Sequence, residues 1–228
     1  MRRAPGRQSD QDGNVSEAMQ TRGTGPEIRS VESADASGMA RLHLRGLPSP
    51  LSPRAGSHLL EMYYSCLEPA NGGVAFVVRE GGQVTGFVAG IWNRRKVLVA
   101  SLLRYPLRFP FWMIIEFGFC RGRGLFRRDG SRGDEGARGE EGEPVSGYEL
   151  RPLVVDETQR GRGIGPALSR RLLDDARERG FHAVHLRVDK DNAAAIRCYE
   201  KLGFRTVGAA GRWRSMSVAL DRPSSMPK

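Results

Sequence analysis

The chain has 228 residues, the size of one domain with tails; 39% are hydrophobic and 27% charged, enough for a core but below the usual apolar share, so part of the chain is expected outside the packed fold. The formal net charge of +10 favours anionic partners, yet lysine occurs only at Lys96, Lys190, Lys201 and Lys228, and a bias toward Arg, Gly and Ala is equally the mark of a GC-rich genome. Three cysteines (Cys66, Cys120, Cys198) without C-x-x-C spacing, and four histidines without an H-x-x-x-H pair, argue against a disulfide framework and a zinc site; no metal is expected.

Residues 1–26 are polar and Gly-rich and are expected to form a disordered tail with no apolar leader segment. Glu27 to Val31 alternates like a short strand. Asp35 is the expected cap of a helix from Ala36 to Leu47. After Pro48, Pro50 and Pro53, the spacing of Leu59, Leu60, Tyr63 and Tyr64 predicts a helix over Ser57 to Leu67. Two apolar runs, 73–79 and 84–92, flank Gly81-Gly82, a strong hairpin signal because a tight turn needs positive φ.

From Arg94 to Arg128 nine basic residues face one acid, Glu116, with seven aromatics interleaved; this net of about +8 is most of the chain's excess charge. The most apolar stretch, Val97 to Cys120, is broken by Arg104, Arg108 and Glu116 and by two prolines, so a spanning helix is not expected. Asp129 to Glu143 reads as a flexible loop. Regular patterning resumes with a strand at 148–155 and a helix at 163–179 with Ile164, Leu168, Leu172 and Ala176 four apart. A strand at 183–188, a helix at 192–202 and closing strands at 204–207 and 213–220 follow. The order β-α-α-β-β-insert-β-α-β-α-β-β predicts an α/β (α+β) mixed sheet.

The strongest local signal is Gln159-Arg160-Gly161-Arg162-Gly163-Ile164-Gly165, between a predicted strand and a predicted helix. Glycines there let a ligand approach the backbone amides, and the helix N-terminus adds positive partial charge, so a pyrophosphate is the natural guest. No lysine completes a Walker A loop, and the spacing G-x-G-x-G so near the C-terminus fits a dinucleotide fold poorly.

Arg160 to Gly165 matches the R/Q-x-x-G-x-G/A loop of the GNAT N-acetyltransferases, and Asn192 to Phe204 resembles that family's N-x-x-A-I-x-x-Y-x-K-x-G-F segment. The resemblance is close from about Tyr148 to Val207. It implies a GNAT acyl-CoA N-acyltransferase fold, with a central, mostly antiparallel sheet flanked by helices, and acetyl-CoA as the co-substrate. It places the pyrophosphate on Arg160, Gly161, Arg162, Gly163, Ile164 and Gly165, and the pantetheine beside Leu153, Val154 and Val155. Pro152, which lacks an N–H, suits the bulge that splays this strand from its neighbour in the family. Asn192 matches a pantetheine contact and is equally suited to cap its helix.

The resemblance implies direct acyl transfer. Tyr199 stands where the family's general acid often stands; the alternative is an aromatic packed between helix and sheet. Glu149, in the strand before the loop, is the candidate base, or else a solvent-facing strand residue. Cys198 has no His partner to make it a nucleophile.

The expected organisation is a tail at 1–26, an N-acetyltransferase domain at 27–220 with a basic, aromatic-rich insert at about 94–144, and a tail at 221–228. The expected function is a cytoplasmic transfer of acetyl from acetyl-CoA to a primary amine of a small molecule or amino sugar. The alternatives are acetylation of a protein N-terminus, as in ribosomal-protein acetyltransferases, or a non-catalytic CoA-binding regulatory module. Nucleic acid is the third-ranked partner, motivated by charge alone. The insert has three readings: an acceptor-side lid, a peripheral membrane contact, or a packed helix with its arginines in solvent. A monomer or homodimer is expected.

Overall fold

In the computed structural model, residues 26–47, 53–111 and 147–221 are described. The expected tails, the proline cluster at 48–52 apart from Pro53, and the insert from 112 onward lie outside them. The elements run β1 (Ile28–Ser30), α1 (Ala36–Gly46), α2 (Pro53–Tyr64), β2 (Gly73–Glu80), β3 (Gln83–Ile91), α3 (Arg94–Arg104), β4 (Tyr148–Val155), α4 (Ile164–Glu178), β5 (Ala183–Asp189), α5 (Ala193–Lys201), β6 (Arg205–Ala210) and β7 (Trp213–Ala219). They build one seven-stranded sheet of order β1-β2-β3-β4-β5-β7-β6. Only the β4–β5 pair is parallel.

The predicted order of elements is the observed one, and the mixed sheet is as expected. The β2–β3 hairpin turns on Gly81 and Gly82, with φ of 56° and 76°, the double positive φ that matches the twist of the flanking strands. Two expectations need correction. α2 begins at Pro53, four residues before the expected start at Ser57, because proline's fixed φ suits a first helical position, and it ends at Tyr64. Asp35 does not cap α1 with its side chain. Its carboxylate instead accepts the Glu32 N–H (2.8 Å) and is chelated by Arg79 at 2.7 and 2.8 Å. The aspartate is needed there to close a 3-10 turn against β2, and α1 starts from that turn.

The sheet separates two cores. On one face α4 and α5 lay Leu168, Leu172, Ala176, Ile196 and Tyr199 against alternate residues of β2 to β5 and β7. The four-residue spacing read in α4 is thus its buried stripe; Leu168 and Leu172 are fully buried, each stabilising by roughly 2 kcal/mol. On the other face α1 and α2 cover Ala75, Val77, Phe87, Ala89 and Ile91 with Met39, Leu42 and Tyr64.

Two irregularities position the site. In the β3–β4 ladder Val88 pairs with Leu153 and Gly90 with Leu150, so Arg151 and Pro152 both stand opposite Ala89. This is a bulge at Pro152, as the missing N–H predicts. β4 then pairs with β5 only at Tyr148–Val184 and Glu149–His185. Beyond Glu149 the two parallel strands diverge, and among the described residues the β5-facing backbone edge of β4 has no strand beside it.

A buried polar knot holds the closed end of this fork. Asp175 of α4 accepts the Tyr148 hydroxyl at 2.8 Å and both arms of Arg179 at 2.7 and 3.0 Å. Trp92 stacks on Tyr148 with ring centroids 5.4 Å apart, and Arg179 lies over its indole at 4.8 Å. Burial and the adjacent Asp175 carboxylate push the Tyr148 phenol far above its ordinary range, so it remains a donor.

Candidate functional site

The loop after β4 brings backbone amides together. Asp156 caps a 3-10 turn at Glu157–Gln159, accepting the Thr158 N–H and hydroxyl at 3.1 and 2.7 Å. The chain then passes through Gly161 (φ 80°) and Gly163 (φ 78°) into α4. A side chain at either glycine would meet no atom within 4 Å, so it is backbone conformation and not crowding that calls for glycine. From Gly161 to Gly165, five consecutive N–H groups donate to no backbone acceptor among the described residues. They sit at the positive end of a 15-residue helix.

The position of this nest is fixed from below. Ile164 is buried, and a Cβ on Gly86 of β3 would come within 2.9 Å of it. A bare strand backbone at Gly86 lets the first turn of α4 sit down on the sheet. Gly165 faces Val155 and Leu153, whose side chains lie 3.8 and 3.9 Å from its would-be Cβ. The nest therefore adjoins the open edge of β4. The flanking cations are exposed: Arg160 pairs with Glu157 at 3.2 Å, and Arg162 with Glu80 at 3.3 Å and with Gln159. These surface pairs are worth little and can exchange for a phosphate.

α5 follows β5, packs against α4 and puts Ile196 and Tyr199 into the core on that face of the sheet. Asn192 accepts the Ala195 N–H through Oδ1 at 3.1 Å, so the capping reading holds, and its amide NH₂ is left to donate. Tyr199 packs its ring edge-on against Phe204, centroids 5.6 Å apart, and is 7% exposed. The hydroxyl has no hydrogen-bond partner among the described residues. Burial raises its pKa above the ordinary 10, with Cys198 adding to the rise, so the phenol holds its proton through the physiological range. Burial also pushes the Cys198 thiol up, which works against a thiolate there.

Glu149 is neither an isolated base nor a freely solvated residue. Arg151, two positions along β4, donates through Nε to its Oε1 at 2.6 Å, and the carboxylate side chain is 22% exposed. Register sets it beside Ile91 and His185 on the α1/α2 side of the sheet. The charges of Arg151, Arg94 and Glu149 all reach the Tyr63 phenol of α2, whose pKa is raised chiefly by burial. Arg151, Tyr63 and His185 were missed from sequence. Arg151 was findable, because i and i+2 share a strand face; His185 and Tyr63 depend on register and packing that carry no local signal.

The residues present thus fit a CoA-type ligand: a diphosphate on the amide nest, and an extended arm hydrogen-bonded along the unpaired edge of β4. Among the described residues no group of three or more His, Cys, Asp and Glu is arranged to hold a metal ion.

A family model described as "Acetyltransferase (GNAT) family" matches residues 39–204. Among curated proteins the chain is 42% identical over 76 residues to the N-alpha-acetyltransferase RimI of Mycobacterium tuberculosis, covering 33% of this chain and 46% of that one. It is 46% identical over 70 residues to a mycothiol acetyltransferase of Nocardiopsis dassonvillei, covering 31% of this chain and 21% of that one. The matched stretches therefore span less than half of these relatives. The solved structure of yncA from Salmonella typhimurium with its cofactor acetyl-CoA superposes with a TM-score of 0.52 at 19% identity, covering 90% of this chain and 99% of that one. At that identity the likeness establishes the fold.

Proposed function

The chain belongs to the acetyltransferase (GNAT) family, and from that premise we propose that it transfers an acetyl group from acetyl-CoA to a primary amine of a small molecule or amino sugar. The observation that carries this reading is the pairing of five unsatisfied amides at the α4 N-terminus with a strand edge opened by the Pro152 bulge. Acetyl-CoA supplies the thioester carbonyl that the amine attacks.

Gly161 to Gly165 hold the pyrophosphate, with Arg160 and Arg162 turning from their surface partners toward it. Leu153, Val154 and Val155 hold the pantetheine arm by backbone hydrogen bonds, with the Asn192 amide donating from across the fork. An N–H on the open edge of β4 stabilises the negative charge that develops on the carbonyl oxygen. Tyr199 donates its hydroxyl proton to the departing sulfur, a role for which a buried, protonated and otherwise unengaged phenol is suited. Glu149 takes the amine proton through a water. Arg151 fixes one carboxylate oxygen and leaves the other available.

A second acceptor, a protein N-terminus, is supported by the likeness to the RimI protein. The cytoplasm is the compartment this reading places it in.

The test is calorimetric titration with acetyl-CoA of the wild type and of Gly163→Glu. Glutamate at φ 78° is strained and brings negative charge to the phosphate position. Wild-type binding in the micromolar range or tighter, weakened at least about 100-fold in the variant, is expected; thermal melting of both proteins checks that the fold is retained. A folded wild type that binds no acetyl-CoA overturns the reading. Acceptor screening by thiol release then separates small amines from peptide N-termini.

A further inference from the structure

We propose that the outward face of α3, with the turn that follows it, is a docking surface for an anionic lipid membrane. α3 is amphipathic in the inverted sense. Val97 and Ser101 are fully buried and face the protein, with Ser101 Oγ donating to the Val97 carbonyl at 2.9 Å. The opposite side carries Leu98, Val99, Leu102 and Leu103, exposed by 44, 51, 38 and 76%. Residues 98 and 102, and 99 and 103, lie one turn apart, so the four side chains form one stripe. Leu107, 83% exposed, extends it into the turn. Phe111, 57% exposed, lies just beyond it, and of the other large apolar side chains exposed among the described residues only Val207 and Trp213 lie elsewhere.

The charge around the stripe selects the occupant. Arg94, Arg95 and Lys96 stand in the first turn of α3, and Arg104 and Arg108 at its far end, with no acidic residue from Asn93 to Phe111. Three cations at a helix N-terminus oppose the helix dipole, so helix stability does not account for them. A second copy of the chain would bring five like charges against five. An anionic bilayer matches both features: leucines enter the acyl boundary while the Arg and Lys stems reach back to the headgroups. Among the described residues no helix is long and apolar enough to cross a membrane, so the contact lies in the interface.

The surface is also held rigid. Phe109, 4% exposed, packs with Leu59 and Met62 of α2, and Tyr105 joins them. The Tyr105 hydroxyl and Ser65 Oγ share a hydrogen bond of 3.0 Å. The turn that presents Leu107 is thereby fastened to the body of the protein, and little ordering is left to oppose docking.

The test uses the full chain in co-sedimentation with vesicles of phosphatidylcholine alone and of phosphatidylcholine mixed with phosphatidylglycerol. Binding to the mixed vesicles, weak or absent on phosphatidylcholine and released by salt, is expected. Leu103→Glu with Leu107→Glu should weaken it at least about tenfold, since both leucines lose their lipid contact. Arg95→Ser with Lys96→Ser should weaken it about fivefold per charge. Both double variants should melt as the wild type does, because the altered side chains face outward. The proposal is overturned if the wild type ignores anionic vesicles, or if the leucine variant binds them unchanged, which would assign binding to charge elsewhere in the chain. Sedimentation velocity that reveals a dimer dissolved by the leucine variant also overturns it and makes a second copy the occupant.

Discussion

The two ends of this molecule are built on different principles. The C-terminal half, from β4 to α5, is specified by backbone requirements: a proline at a bulge, glycines at positive φ, an asparagine at a cap. The N-terminal half, α1 to α3, is specified, apart from the Gly81-Gly82 turn, by side-chain packing around Tyr64, Phe87 and Phe109, and by an outward leucine stripe. A backbone requirement narrows one position to one or two residue types, so it survives as a readable motif. A packing requirement is met by many apolar combinations of the right volume and leaves only a periodicity. The C-terminal half can be read letter by letter, the N-terminal half only in outline.

The strongest way to break this contrast is to attack packing inside the legible half. The Asp175 knot is as illegible as anything in α2, since no motif links Tyr148, Asp175 and Arg179. Asp175→Ala should destabilise the protein by about 3 kcal/mol, because it strands a buried phenol and a guanidinium together. Arg179 is 29% exposed along its side chain, so water relieves part of its loss and keeps the figure at the low end for a broken buried pair. Denaturant melts measure it. A change under about 1 kcal/mol would mean that the closed end of the fork is held by Trp92 stacking alone.

Next in size is a chemical test at Tyr199. Tyr199→Phe keeps the ring against Phe204 and removes a hydroxyl with no hydrogen-bond partner among the described residues, so stability should move by less than about 0.5 kcal/mol. Acetyl-CoA affinity should hold, while kcat falls about 100-fold, at the lower end of what a positioned acid supplies. An unchanged kcat would make Tyr199 a packing residue and leave the sulfur to be protonated by solvent.

These two residues mark the limit of what the sequence alone can give. Tyr199 is a candidate because the segment from Asn192 to Phe204 resembles the family's N-x-x-A-I-x-x-Y-x-K-x-G-F motif, a resemblance confined to one helix and the turn after it. Glu149 was found as a strand residue, but its partner Arg151 and its neighbour His185 give it its setting. His185 comes from a strand 36 positions later, through a register that only the assembled sheet defines. Asp35 failed as a cap for the same reason: Arg79, 44 residues away, claims its carboxylate. The turn chemistry of α3 was silent as well. Its leucines look like a buried stripe to any periodicity argument, and only the packing of the helix against α2 and the 69–71 turn leaves them outward.

The smallest expected effect probes the illegible half by pH. His43 of α1 and Tyr64 of α2 share a hydrogen bond of 2.5 Å, and burial lowers the His43 pKa from its ordinary 6.5. The folded protein therefore binds a proton at His43 less readily than the unfolded chain does. Stability from this group is full above about pH 6.5 and declines as pH falls below it, where the unfolded chain protonates first. The loss grows as the pH falls further below the unfolded value. The buried Tyr64 phenol, pushed well above 10, does not titrate in this window. His43→Gln removes the titrating group and should flatten the slope between about pH 7 and pH 5.5, at the cost of the 2.5 Å hydrogen bond. Equal slopes in the two proteins would show that the α1–α2 contact opens to water before the domain unfolds, and that the packing-built half is the softer of the two.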